Sequence, residues 1–219
     1  MKKLLLTLGL LLGLAAPASA QAIIPCVGAG GINNVPVPGV SCNLESSIPT
    51  YSAVAVGLVP GTAPTDIACL TGSATKVVRM KKIRIGGTAG TAINITAYLT
   101  KHASADSGGT AATGTALPVP YALDSNYAAP TATTQSWTAN PTINDSAPGY
   151  VAGQTVFLPA TGTAAGPAQY YFSFNEGGLA VAPPVLRGTV QQLCVNLNGV
   201  TAPSSGVMSV EFIWTESAQ

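Results

Sequence analysis

Few residues in this sequence are able to do chemistry. His102 is its only histidine, so a serine or cysteine nucleophile with a histidine base would have to use it. The polar stretch Lys101 to Asp106 around it predicts a solvated loop, and no G-x-S-x-G element occurs anywhere. The sequence therefore gives no support to a histidine-based hydrolase.

Acidic residues offer carboxylate chemistry only in principle. A glycosidase pair could be drawn from Asp66, Asp106, Asp124, Asp145, Glu176, Glu211 and Glu216. Each aspartate, however, lies beside Ser, Thr, Asn or a turn residue, which favours side chains that cap backbone N–H groups. A calcium site built from Asp106, Asp124 or Asp145 with loop carbonyls stays open as an alternative. No Walker loop, G-x-G-x-x-G element or EF-hand loop is present, so we predict no catalysis, no cofactor and no resident metal.

The four cysteines form an even set, Cys26, Cys42, Cys69 and Cys194. No C-x-x-C spacing supports a metal site, so in an exported chain this set favours disulfides. Of three possible pairings we favour Cys26 with Cys42, which bracket one loop rich in Gly, Pro and Asn. Cys69 and Cys194, each inside a strand-like run, would then form the second bond.

Aromatic side chains outside the apolar alternation are the candidates for a binding surface. They are Tyr121, Tyr127, Trp137 and Tyr150. Exposed, they would offer stacking platforms for a carbohydrate; buried, they would hold a long loop against the rest of the fold.

The first twenty residues predict a secretory signal peptide. Lys2 and Lys3 precede an apolar run from Leu4 to Ala16, and Ala18 to Ala20 resembles a cleavage site. The apolar run is shorter than the roughly 20 residues of a spanning helix, and none follows, so no membrane span is predicted. Loss of both lysines would leave seven basic against eight acidic residues, which does not favour nucleic-acid binding. We expect a secreted protein, periplasmic or extracellular.

Alternating apolar residues predict antiparallel strands throughout the remaining chain. Such runs surround Ile95, Phe172, Val195 and Phe212, and no window keeps a helical spacing over three turns. Between Lys76 and Ile85 the apolar parity changes, which predicts a β-bulge at Lys81 or Lys82.

Glycine and proline mark the connections between these strands. Gly149 to Gly153 is one predicted turn, and the five prolines between Ala116 and Pro148 predict a long surface excursion outside the centre of any sheet. Together these features predict an all-β fold, an antiparallel two-sheet β-sandwich of jelly-roll type. We expect an N-terminal arm over 21–50 that holds the first disulfide and one domain over 51–219.

An ordered set of short motifs resembles small structural proteins of tailed bacteriophages and prophages. They are Thr65 to Ile67, Thr71 to Lys76, Arg79, Ile83 to Ile85, Ser107 to Thr110, Leu123 to Asn126, Thr138 to Pro141, Val185 to Thr189, Gln191 to Leu193, Val195 to Gly199 and Ile213 to Glu216. The resemblance implies a β-sandwich virion-surface or accessory protein, oligomeric and without catalysis. With a signal peptide, it implies a version exported by a bacterium into a surface layer, matrix or adhesive structure.

Charged residues make up only 8% of the chain, against about 25% in an average globular protein. Surfaces of uncharged polar residues suit close packing between subunits, because their burial carries no ionic desolvation cost. We therefore expect a homo-oligomeric structural subunit that is not an enzyme. The alternative is a carbohydrate-binding or adhesive module with a glycan or cell-surface partner.

Overall fold

Two antiparallel sheets packed against each other form the fold. The structure, a computed structural model, describes residues 48–145, 149–162, 169–174, 182–199 and 206–218. The first sheet contains β1 (Thr50–Leu58), β3 (Lys76–Thr88), β6 (Tyr121–Ala122), β9 (Gln169–Ser173), β10 (Val185–Leu186) and β12 (Val207–Ala218). The second contains β2 (Asp66–Thr71), β4 (Ile93–His102), β5 (Thr110–Ala111), β7 (Thr133–Ala139), β8 (Gly149–Leu158) and β11 (Gln192–Asn196). The predicted all-β sandwich is confirmed.

Strand order follows the jelly-roll pattern that the sequence predicts. In the first sheet the order is β1, β12, β3, β9, and in the second it is β2, β11, β4, β8. Most successive long strands lie in opposite sheets, which is typical of a jelly roll. Strands β7 and β5 extend the second sheet beyond β2, and β6 and β10 add short pairs to the first.

The core lies between the sheets and follows the period-two pattern. Its members include Ile95 and Leu99 of β4, Val195 of β11 and Phe212 and Trp214 of β12, each at most 2% exposed. Because every second side chain of a strand points to the same face, these alternating residues meet between the sheets. The alternation expected around Phe212 in the C-terminal strand is confirmed.

A β-bulge lies at Lys81, as the change of parity predicts. Ile213 pairs with Lys82 and Trp214 with Met80, so Lys81 is the extra residue in β3. The insertion lets the apolar residues on both sides of it face the same core.

The prolines between Ala116 and Pro148 do not keep the whole excursion out of a sheet. Residues Thr133–Ala139 form β7, which pairs with β2 on one side and with the two-residue β5 on the other. The prediction is wrong for this strand, because its seven residues contain no proline and donate freely to the ladder. The turn predicted at Gly149 to Gly153 is also wrong, since these residues begin β8.

Glu216 of β12 fixes the chain just before β7. Its carboxylate accepts hydrogen bonds from the backbone N–H groups of Thr131 and Ala132, from the Thr131 hydroxyl and from Trp214 Nε1, at 2.6 to 3.1 Å. Burial alone would raise the pKa of Glu216, but these donors outweigh it and lower the pKa. We call this arrangement the Glu216 clamp.

Contacts group Glu45–Gln219 into one unit, whose start lies close to the predicted domain boundary at residue 51. The predicted signal peptide (1–20), most of the arm over 21–50 and the predicted bond between Cys26 and Cys42 lie outside the described residues.

Candidate functional sites

The bond between Cys69 and Cys194 is confirmed and joins neighbouring strands of the second sheet. Cys69 of β2 is directly opposite Cys194 of β11, with their Cα atoms 4.1 Å apart. Both cysteines lie on the outer face of the sheet, yet both are fully buried, together with Trp137 of β7. Strands β2 and β11 are thus covered on both faces.

His102 is buried beside this disulfide, so its prediction as a solvated loop residue is wrong. It ends β4, pairs with Gln192 of β11 and is 0% exposed. Asp66 of β2 is 1% exposed and does not cap a turn. Asp124 does cap one, through a hydrogen bond from the Asn126 N–H. The sequence signal that placed His102 in β4 was the alternation of the strand, because Tyr98, Thr100 and His102 are two residues apart and all face outward from β4.

The hydrogen bonds around His102 fix the role of one ring nitrogen. The Thr100 hydroxyl donates to Asp66 Oδ1 at 3.2 Å, so its oxygen is free to accept from His102 Nε2 at 3.0 Å. Asp66 Oδ2 lies 3.3 Å from the same nitrogen, and Asn196 donates to Asp66 Oδ1 at 2.7 Å. His102 Nε2 therefore carries a proton and donates it toward Thr100 and Asp66.

The other ring nitrogen faces Asp106. His102 Nδ1 and Asp106 Oδ1 are 4.0 Å apart, both side chains are fully buried, and neither atom has a hydrogen-bond partner. Asp106 Oδ2 lies 3.8 Å from Cys69 Sγ, and the Asp106 N–H donates to Gln192 Oε1 at 2.8 Å. We call Asp66, His102 and Asp106 the buried triad.

Two members of the triad, His102 and Asp106, have raised pKa values. Burial, then the charge of Asp66 and a hydrogen bond to it, raises the pKa of Asp106 to about 7. Burial alone would lower the pKa of His102, but the hydrogen bond to Asp66 and the charges of Asp66, Asp106 and Asp145 raise it. His102 and Asp106 therefore hold protons to a higher pH than they would in water.

The triad does not form a good metal site or catalytic centre. Carboxylates of Asp66 and Asp106 lie within 4.8 Å of both cysteine sulfurs, but these sulfurs are already joined in the disulfide. The two carboxylates also face different nitrogens of the imidazole ring, so one ion could not be ligated by all three side chains in this arrangement. With all three side chains fully buried, the triad offers no surface to a substrate.

Residues 103–109 and 141–145 form a flap, which contributes Asp106 to the triad and lies next to His102 and Asp66. Its two segments are joined by Ser107 and Thr142, which exchange backbone hydrogen bonds, and by Asp145, which accepts from the Ala103 N–H at 2.7 Å. Gly109 has φ +72°, and a Cβ there would lie 2.8 Å from Ala139 O. Glycine is therefore needed where the flap crosses the end of β7.

The four aromatic residues of the predicted binding surface do not lie together. Tyr121 is 72% exposed in β6 of the first sheet, whereas Tyr150 is 61% exposed in β8 of the second, edge-on to Tyr98. Trp137 is 5% exposed and packs on the disulfide, and Tyr127 is half-buried. Only Tyr121 and Tyr150 offer an open ring, and they do so in different sheets.

Strand β8 forms a long outer edge. It pairs only with β4 among the described strands, and its ten residues include neither a charge nor a proline. A bulge at Val151 interrupts its start, because Leu99 pairs with Ala152 and Thr100 with Tyr150. From Ala152 to Leu158 the ladder is regular, which leaves alternate N–H and C=O groups of seven residues pointing away from the sheet.

The fold and these sites define an all-β jelly-roll sandwich with one cross-strand disulfide. No protein-family model, curated protein or solved structure matches the chain. No helix among the described residues is long and apolar enough to cross a membrane. The disulfide fits a compartment outside the reducing cytoplasm.

Proposed function

We propose that this protein is an exported, non-enzymatic structural subunit that assembles with further copies of itself through the edge of β8. The observation that carries the proposal is the regular, uncharged run from Ala152 to Leu158. Unpaired backbone groups on an edge strand are a template for a strand from another chain.

Other sheet edges of the described chain are shorter than that of β8. Strands β5, β6 and β10 have two residues each, β9 has five, and β1 is free of β6 only beyond Ser52. Proteins commonly protect a long edge with lysine, proline or a bulge, and β8 has only the bulge at Val151. A second chain would cover the remaining seven residues.

Side chains of β8 suit an antiparallel pairing with a second β8 centred on Thr155. That register brings Thr155 next to its symmetry mate and Phe157 opposite Gly153. Phe157 is 40% exposed, and opposite Gly153 it would meet the Tyr98 ring, which fills the space over that glycine. Thr–Thr pairs and aromatic contacts across strands each contribute about 0.2–1 kcal/mol.

Several features support a structural role over catalysis. The buried triad has no open face for a substrate, and charged residues are only 8% of the chain. A twofold pairing of β8 closes on itself and gives a dimer as the building unit. The resemblance to phage structural proteins and the predicted signal peptide support use of this unit in a surface structure outside the cytoplasm.

The test uses Thr155→Cys on the purified protein without added reductant. Directly opposed residues of paired strands have Cβ atoms about 4.5–5.5 Å apart, so two copies would cross-link through residue 155. Thr189→Cys, at an exposed position outside β8, is the matched control. Peptide mapping should find the 155–155 disulfide and no 189–189 disulfide.

Size-exclusion chromatography with light scattering completes this test. We expect a dimer for the wild type and for Thr189→Lys, and a monomer for Thr155→Lys, because lysine places like charges at the centre of the pair. A wild-type monomer over a wide concentration range, without 155–155 cross-links, would contradict the proposal.

A further inference from the structure

The flap is joined to the sheet beneath it by Asp106. Its backbone N–H donates to Gln192 of β11, its carboxyl lies over Cys69 of β2, and Oδ1 points at His102 of β4. One flap residue thus contacts three strands of the second sheet. The other flap bonds described above join its two segments to each other.

The facing atoms of His102 and Asp106 need a proton between them. Because Nε2 already carries a hydrogen, a neutral ring has only a lone pair at Nδ1. An ionised Asp106 would present a second lone pair to it across 4.0 Å, with both atoms buried and without partners. One proton on either atom turns this repulsive contact into a donor facing an acceptor.

We infer that a proton shared between His102 Nδ1 and Asp106 holds the flap over the Cys69–Cys194 disulfide, and that loss of this proton opens the flap. The open flap admits a small reductant to Cys69 Sγ. The closed flap excludes it, because the Asp106 carboxyl lies 3.8 Å from this sulfur and Cys69 is 0% exposed.

The direction of the pH effect follows from which state binds the proton more tightly. The raised pKa of Asp106, about 7, belongs to the closed flap, whereas a solvated aspartate has a pKa of about 3.9. Between these values the closed state binds a proton that the open state releases, so rising pH favours opening. The raised pKa of His102 acts in the same direction above pH ~6.5.

Other charged groups near the triad reinforce this direction. Asp66 of β2 and Asp145 of the flap both contribute negative charge at His102 and Asp106. Strand β11 presents the uncharged Gln192 to the same site. Opening should therefore increase from about pH 4 to about pH 7 as Asp106 loses its proton, and further as His102 loses its own.

The test measures how fast a water-soluble phosphine reduces the disulfide at different pH values. The phosphine attacks one sulfur and displaces the other as a thiolate; water then supplies the oxygen of the phosphine oxide and the protons of two thiols. Rapid alkylation and mass spectrometry report the reduced fraction. Division by the rate for a small peptide disulfide in the same buffer removes the pH dependence of the phosphine.

For the wild type we expect the normalised rate to rise at least about tenfold between pH ~5 and pH ~7.5. Asp106→Asn keeps an uncharged side chain that can donate to Nδ1, so its rate should stay within about twofold over this range. Asp124→Asn, in an exposed turn, is the matched control and should keep the wild-type profile. A flat wild-type profile, or an unchanged rise in Asp106→Asn, would overturn the inference.

Hydrogen exchange on the wild type distinguishes local opening from global unfolding and needs no variant. After correction for intrinsic exchange, protection of the Asp106 amide, which donates to Gln192 of β11, should fall as pH rises from ~5 to ~7.5, while that of β11 amides stays at least about tenfold higher. Equal loss of protection in the flap and in β11 would show unfolding of the whole domain and would overturn the inference.

Discussion

At one end of the second sheet, the disulfide, the Glu216 clamp and the flap hold β2 and β7 in place. The last strand at this end, β5, has two residues. At the other end, β8 has ten residues and pairs with β4 alone among the described strands. We call these the covered end and the open end of the sheet.

Substitutions at the two ends should change different properties: stability at the covered end and assembly at the open end. Covered-end residues bury polar groups that must be satisfied by partners or protons, so changes there should lower the free energy of unfolding. Strand β8 satisfies its ladder on one side only, so changes at its exposed positions, such as Thr155, should alter assembly and leave the monomer stable.

The largest expected effect is removal of the disulfide by Cys69→Ala with Cys194→Ala. The bond closes a separation of 125 residues, and the chain-entropy model gives about 4–5 kcal/mol for such loops. We expect urea unfolding to report a loss of this order. A loss below about 1 kcal/mol would mean that the covered end does not depend on the bond.

Next in size is Glu216→Gln in the clamp. An amide nitrogen would face N–H donors that now bind a carboxylate, and we expect a loss of about 2–3 kcal/mol. Glu211→Gln is the matched control, since Glu211 pairs with Arg84 at a partly exposed site, and it should cost at most about 1 kcal/mol. Equal losses in the two variants would contradict the role given to the clamp.

The pH dependence of stability should show the two covered-end sites acting with opposite signs. Because the pKa of Glu216 is lower in the folded protein than in the unfolded one, Glu216 stabilises the fold at pH values above its unfolded pKa. This contribution is lost as the pH falls through the folded pKa. The raised pKa of Asp106 has the opposite effect, because stability is lost as pH rises toward about 7.

Urea unfolding of the wild type should therefore give maximum stability at mildly acidic pH. Asp106→Asn should remove most of the decline toward neutrality, while Glu216→Gln should weaken the decline on the acid side. Stability that still falls toward neutrality in Asp106→Asn would assign that decline to other groups.

The smallest effect on the free energy of unfolding is expected for Thr155→Lys at the open end. Thr155 is exposed and near the middle of β8, so the monomer should change by less than about 0.5 kcal/mol. The measurement is urea unfolding at protein concentrations low enough for the wild type to be monomeric. A loss as large as that of Glu216→Gln would remove the distinction between the two ends.

Period-two alternation was enough to predict the sandwich and the bulge at Lys81, because it reports directly on the face that meets the core. It could not report the burial of His102 and Asp66, since these two residues and Asn196, which donates to Asp66, come from three strands that are far apart in sequence. In the Lys101 to Asp106 stretch only the side chains of His102 and Asp106 are fully buried, and exposed neighbours such as Ser104 make the stretch resemble a solvated loop.

Strand β8 was missed for a different reason. Gly149 and Gly153 predict a turn, but Gly153 gives space to the Tyr98 ring, whose Cδ1 would lie 2.9 Å from a Cβ at that position. Residues Thr155 to Leu158 are too few to outweigh these glycines in a sequence pattern. The pairing with β4 depends on tertiary contacts that local sequence does not reveal.

Amide hydrogen exchange along β8 tests the account most directly. In a monomer, alternate amides between Ala152 and Leu158 point away from β4 and should exchange quickly, while the others are protected. We predict that the outward amides of the wild type become protected as protein concentration rises, and that those of Thr155→Lys do not. Outward amides that exchange quickly at every concentration would contradict assembly through this edge.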